Sequence, residues 1–134
     1  MSFYQIILRL ARNPGYPDGD DSQGYVIVAP LDLDDHLDPV DWATNRELCT
    51  VIRFKPGTER DADGRLTHHG SHWSFHYDAV EEGDDESVFR LGDHRLTVGD
   101  YVTVHEGDGQ FLTYRVAERT EVHSPNAIPA RERA

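Results

Sequence analysis

One short segment of the chain alternates polar and aromatic residues, and it restricts the possible fold more than any other part. Trp73, Phe75 and Tyr77 occupy every second position, which is the period of a β-strand and not that of a helix. We therefore interpret Leu66–Asp78 as one strand, with its aromatic side chains in the core and its polar side chains on the opposite face.

Strand character continues through the first half of the chain. Phe3–Arg12 places its larger apolar residues on one parity, and Leu48–Phe54 also alternates. Tyr25–Leu31 is apolar on both parities, which is typical of a strand covered on both faces. Two covered faces favour a closed barrel over a single open sheet.

A short helix is expected between the second and third strands. Asp38 is placed to cap its N-terminus, and Pro39 suits the first helical turn. The helix is predicted over about Pro39–Arg46, with Trp42 anchoring it to the barrel.

Two hairpins are predicted in the second half. Ser87–Leu91 and His94–Val98 flank Gly92-Asp93, a pair of residues that favours a two-residue hairpin turn and sets Phe89 opposite Leu96.

The second hairpin joins Tyr101–Glu106 to Gln110–Ala117. Only a three-residue loop, which sets Val104 against Leu112 and Val102 against Tyr114, keeps the apolar side chains on one face. This register predicts a left-handed backbone at the loop glycine, Gly109.

These segments define a mainly β fold, a small antiparallel β-barrel or strongly bent sheet of about seven strands with one short helical insert. Residues 1–120 are expected to form a single domain, and residues 121–134, which lack an apolar period, a flexible tail. Exposed strand edges are compatible with a homo-oligomer.

The charge of the chain argues against several classes of partner. The formal net charge is −12, from 25 acidic and 13 basic residues. Such a surface repels phosphate backbones and anionic lipid, so neither nucleic acid nor a membrane is expected as a partner. The single cysteine, Cys49, excludes an internal disulfide, and we expect a soluble cytoplasmic protein.

The polar face of the aromatic strand is the candidate site. His72, Ser74, His76 and Asp78 share it, and we expect this face to bind a protein or a small ligand. His72 and His76 lie about 13 Å apart at the rise of a strand, which is too far for both to bind one zinc ion.

The alternative is a divalent metal site, which in a metal-dependent enzyme would be catalytic. It is centred on His76 and Asp78, with His94 and His105 completing it from neighbouring strands. No self-consistent catalytic motif is present, so enzymatic activity and cofactor are left undetermined. The acidic run Ala79–Glu86 is interpreted as a solvated turn without a site.

Overall fold

The chain forms a closed antiparallel β-barrel in which eight strands pair in sequence order. The computed structural model describes residues 2–57, 62–77, 86–106 and 109–122. The last strand pairs with the first and closes the sheet, with a register irregularity between Ile7 and Leu8. The predicted mainly β fold is confirmed, with eight strands in place of about seven.

The elements follow one another as a simple meander. The strands are β1 Ser2–Leu10, β2 Asp20–Leu31, β3 Thr50–Phe54, β4 Ala62–His69, β5 His72–Tyr77, β6 Glu86–Phe89, β7 Tyr101–His105 and β8 Phe111–Val122. The helix α1 spans Pro39–Thr44, and 3-10 turns span Arg46–Leu48 and Leu91–Asp93. Glu121 and Val122 belong to β8, while residues 123–134 lie outside the described part of the chain.

The prediction of one strand over Leu66–Asp78 is wrong, because a tight turn divides that segment into β4 and β5. His69 pairs with His72 on either side of the turn. Gly70 has φ of 61°, which glycine adopts without a steric penalty. The predicted alternation is nevertheless correct within β5, where Trp73 and Phe75 are buried and His72 is exposed.

The predicted hairpin across Gly92-Asp93 is also wrong. Leu91–Asp93 is a 3-10 turn, and β6 pairs instead with β7, which sets Phe89 opposite Thr103. A Cβ atom at Gly92 would lie 3.0 Å from Nε1 of Trp73, so the glycine permits close packing over the indole. Leu96, the residue predicted to face Phe89, is buried without being in a strand.

The hairpin of β7 and β8 has the predicted register. Val104 pairs with Leu112 and Val102 with Tyr114, and all four are buried. Gly109 has φ of 89°, as the three-residue loop requires.

The helix closes one end of the barrel. Asp38 caps it by accepting hydrogen bonds from the backbone N–H groups of Val40 and Asp41. Trp42 is buried, and its indole Nε1 donates to the carbonyl oxygen of Leu66 at 2.9 Å. The predicted cap and anchor are therefore confirmed.

Closure of the sheet removes the free strand edges on which the expectation of a homo-oligomer depended. Among the described residues, no helix is long and apolar enough to cross a membrane.

Candidate functional site

The described residues of the predicted polar face differ in exposure. His72 and His76 are exposed on β5. Ser74 between them is partly buried, and its hydroxyl lies 3.1 Å from that of Thr67 on β4. Asp78 lies outside the described residues.

His76 borders a groove of about 350 Å³ between α1 and the outer side of β4 and β5. We call it the cationic groove, because two arginines and three histidines contribute to its wall. Its lining residues are Trp42, Arg46, Arg65, Leu66, Thr67, His68, His69 and His76. His72 is not among them.

Aromatic packing holds one side of the cationic groove in place. His68 stacks on Trp73 with ring centroids 4.1 Å apart, and it meets Trp42 edge to face at 5.6 Å. The guanidinium of Arg46 lies 4.7 Å from the ring centroid of Trp42. Burial, and then the neighbouring His69, lower the pKa of His68.

The arginines of the groove differ from most others in the protein. The described arginines that pair with carboxylates are Arg9, Arg53, Arg90, Arg95 and Arg119. Arg46 and Arg65 form no ion pair within the described chain, and Arg65 lies opposite His76 in the β4–β5 ladder. An excess of positive charge is thus concentrated in one groove of an acidic protein.

The three predicted metal ligands that the structure describes, His76, His94 and His105, are not brought together as a set. Nε2 of His94 is buried and has no hydrogen-bond partner, whereas His105 is exposed and stacks on Phe111 at 4.3 Å. In the described part of the chain, no group of three or more His, Cys, Asp or Glu side chains is placed to hold a metal ion. Asp78 lies outside that part, so the four-residue set stays a prediction.

A second polar site lies inside the barrel, at the end opposite α1. We call it the tyrosine–glutamate cluster. Its members are Tyr25, Arg53, Tyr77, Glu86, Glu106 and Tyr114. Glu86 is 1% exposed and Glu106 is 5% exposed, which is rare for carboxylates without compensating partners.

Tyr25 connects the two glutamates. Its hydroxyl lies 3.0 Å from Oε1 of Glu86 and 2.8 Å from Oε2 of Glu106. Tyr77 contacts the same oxygen of Glu86, and Tyr114 contacts the same oxygen of Glu106 at 2.8 Å.

One arginine completes the cluster. Nη1 of Arg53 donates to Oε2 of Glu86 at 3.1 Å, and its guanidinium lies 4.5 Å from the ring centroid of Tyr77. Arg53 is positioned by β3, where it is the cross-strand neighbour of Tyr25.

Burial dominates the proton affinities of the cluster. Desolvation raises the pKa of Tyr25, Tyr77 and Tyr114, so their hydroxyls stay protonated. Desolvation, and then the charge of Glu86, raise the pKa of Glu106 against the opposing effect of its hydrogen bonds. Cys49, by contrast, is a buried thiol whose pKa burial raises to about 12, and it is a poor nucleophile.

The interpretation of Ala79–Glu86 as a solvated turn is wrong for Glu86, which is the first residue of β6 and faces the core. Residues 79–85 lie outside the described chain. The signal that identifies both glutamates is period two: Glu86 shares parity with Val88, and Glu106 shares parity with Val104.

Comparison with known proteins identifies no relative. A scan against protein-family models finds no match, and searches of curated proteins and of solved structures likewise return none. The class of the protein is therefore defined by its own geometry: a closed eight-stranded antiparallel barrel with a cationic groove outside and an acidic cluster inside.

Proposed function

We propose that this protein is a binding module that takes an anionic group of a small ligand or a partner protein into the cationic groove. The observation that carries the proposal is the concentration of Arg46, Arg65 and three imidazoles in one groove of a chain with net charge −12. Guanidinium groups bind carboxylates and phosphates through paired hydrogen bonds. We keep the cytoplasm as the proposed location.

The exposed side chains of the groove offer donors from two strands. Arg65 and His76 are cross-strand neighbours, with Cβ atoms about 5 Å apart in such pairs. His69 is exposed at the end of β4, on the same side of that strand as Arg65. An anion held between Arg65 and His76 gains charge-assisted hydrogen bonds.

The test is a titration with inorganic pyrophosphate, in which binding is detected through the NMR resonance of the Trp42 indole N–H. We expect a saturable shift, and binding at least several-fold weaker in Arg65→Ala. Arg12→Ala is the matched control, since Arg12 is also an exposed arginine without an ion pair in the described chain but lines a different surface pocket. Absence of a saturable shift, or equal weakening by both substitutions, contradicts the proposal.

The same titration separates the two exposed histidines of β5. Only His76 borders the groove, so His76→Ala is expected to weaken binding and His72→Ala to leave it unchanged. Loss of binding in both variants indicates instead that the whole outer face of β5 is the contact surface.

The metal hypothesis, with His76, Asp78, His94 and His105 as ligands, is tested separately. Elemental analysis of untagged protein and thermal unfolding with zinc or with chelator decide it. Bound metal, or stabilisation by zinc that is lost in His76→Ala, favours the metal site over the anion site.

A further inference from the structure

The close hydroxyl–carboxylate contacts of the tyrosine–glutamate cluster outnumber the hydroxyl hydrogens of its tyrosines by one. The cluster has four close contacts between hydroxyl and carboxylate oxygens, and they come from three tyrosines. Each hydroxyl carries a single hydrogen. Since Tyr25 contacts both glutamates, it donates fully to only one of them, and a proton on a carboxyl group completes the fourth hydrogen bond.

We propose that the inside of this barrel is a proton-binding site, in which Glu86 and Glu106 together hold one proton at neutral pH and Glu106 carries it. In that state Glu106 donates one hydrogen bond within the cluster, and Glu86 keeps its negative charge beside Arg53. The proton leaves to solvent when the pH rises sufficiently.

The strand register supports the shared proton. Ser87 pairs with His105, and continuing this register sets Glu86 across from Glu106. Like charges directly opposite on neighbouring strands are destabilising, with Cβ atoms about 5 Å apart. Both side chains are almost fully buried, so water screens this repulsion weakly. Protonation of one carboxylate removes it.

The surroundings assign the proton to Glu106. Glu86 receives a charged donor, Arg53, at 3.1 Å, which favours the ionised form. Among the described residues, the side chain of Glu106 is hydrogen-bonded to neutral hydroxyls only, those of Tyr25 and Tyr114. Its backbone is fixed by the β7–β8 turn, where its N–H donates to the carbonyl oxygen of Gln110 at 2.8 Å.

The other groups near Glu106 leave this assignment in place. β2 also contributes Gln23, a neutral amide, and the segment after β3 contributes Lys55, whose charge offsets part of the effect of burial. β1 presents Leu8 and Leu10, and β4 presents Gly64 and Ala62, so neither brings a further charge from the described chain.

A neutral carboxyl group next to an ionised one is the arrangement that general acids use near neutral pH. Tyr25 lies between the two carboxyl groups and offers a path for the proton from one to the other. The cluster therefore supplies one exchangeable proton at the end of the barrel opposite α1.

Infrared spectroscopy tests the proposal directly. A protonated carboxyl group gives a carbonyl stretching band well separated from that of carboxylates. We expect this band in the wild-type protein at pH 7, its loss in Glu106→Gln, and its retention in Glu121→Gln, which changes an exposed glutamate of β8. Absence of the band in wild type at pH 7, or its persistence in Glu106→Gln, overturns the proposal.

A titration of the unaltered protein keeps the test independent of whether Glu106→Gln folds. The band is expected to disappear as the pH rises while the near-ultraviolet circular dichroism stays that of the folded state. If the band is absent at every pH at which the protein is folded, both glutamates are ionised and the proposal is wrong.

Discussion

Two ion-pair clusters at opposite ends of the barrel contain opposite ratios of carboxylate to arginine. At the end near α1, the carboxylate of Asp35 lies 2.8 Å from Nη2 of Arg119 and 3.8 Å from Nη2 of Arg95. At the other end, two glutamates share hydrogen bonds with one arginine, Arg53.

The ends also differ in burial, and that difference explains how each ratio is tolerated. The side chain of Asp35 is 24% exposed, and that of Arg95 is 65% exposed, so water screens the excess positive charge. Glu86 and Glu106 are 1% and 5% exposed, where screening by water is weak. The extra arginine charge beside Asp35 is therefore stabilised by water. The extra carboxylate charge of the buried glutamates is instead neutralised by a proton on Glu106.

The largest effect expected from this comparison follows removal of the buried arginine. Arg53→Met leaves Glu86 buried without a cation, and breaking a buried pair in this way costs about 3–5 kcal/mol of the free energy of unfolding. Arg95→Met, at the exposed end, is expected to cost less than about 1 kcal/mol. Urea unfolding with unchanged m-values measures both.

A second replacement checks the cause. In Arg53→Met, the additional change Glu86→Gln removes the unpaired charge and is expected to recover a large part of the loss. Equal losses in the Arg53 and Arg95 variants, or no recovery, show that the buried pair is not what distinguishes the two ends.

The sequence predicted the barrel well where one face of a strand is uniformly apolar. The alternation of Trp73, Phe75 and Tyr77 gave the correct inward face, and Val104 opposite Leu112 gave the correct register. In both places a slip of one residue would turn a whole apolar face towards water, so the alternation of residues is sufficient to predict the inward face and the register.

The sequence predicted less where tertiary contacts decide the structure. Gly92 resembles a hairpin turn residue but is required by close packing on Trp73. Glu86 was placed in a solvated acidic run, because its burial depends on Arg53 and Tyr77, which come from distant strands. Of the predicted binding face, His76 borders the cationic groove, and the groove depends on α1 packing against β4.

The next effect in size concerns the hydroxyl that connects the two glutamates. Tyr25→Phe keeps the ring contacts with Phe75 and Tyr114 but removes one of the two hydroxyl partners of each bridged carboxyl oxygen, at a cost of about 1–3 kcal/mol. Tyr101→Phe removes a hydroxyl from an exposed side chain, and the change is expected to stay within about 0.5 kcal/mol. Thermal and urea unfolding compare the two, and a Tyr25→Phe protein as stable as Tyr101→Phe contradicts a bridging role for the hydroxyl.

The last comparison is a dependence on pH that belongs to one end of the barrel only. The pKa of Glu106 is raised in the folded state by burial and by Glu86. Its contribution to stability is therefore fully present below the unfolded pKa, about 4.3, and is lost as the pH rises through the folded pKa.

Glu106→Gln removes this titration while keeping the size of the side chain. The stability of wild type relative to Glu106→Gln is expected to fall as the pH rises from about 4.3 towards the raised folded pKa, by at most about 1.4 kcal/mol per pH unit for one proton. Asp35→Asn is the comparison at the other end, where Arg119 and Arg95 lie beside the carboxylate. Groups that do not interact with Glu106 titrate alike in wild type and variant, so their contributions cancel in the difference. If the difference in stability between wild type and Glu106→Gln does not change across this range, Glu106 is ionised in the folded protein. Glu86 and Glu106 would then both be negatively charged beside a single arginine, Arg53.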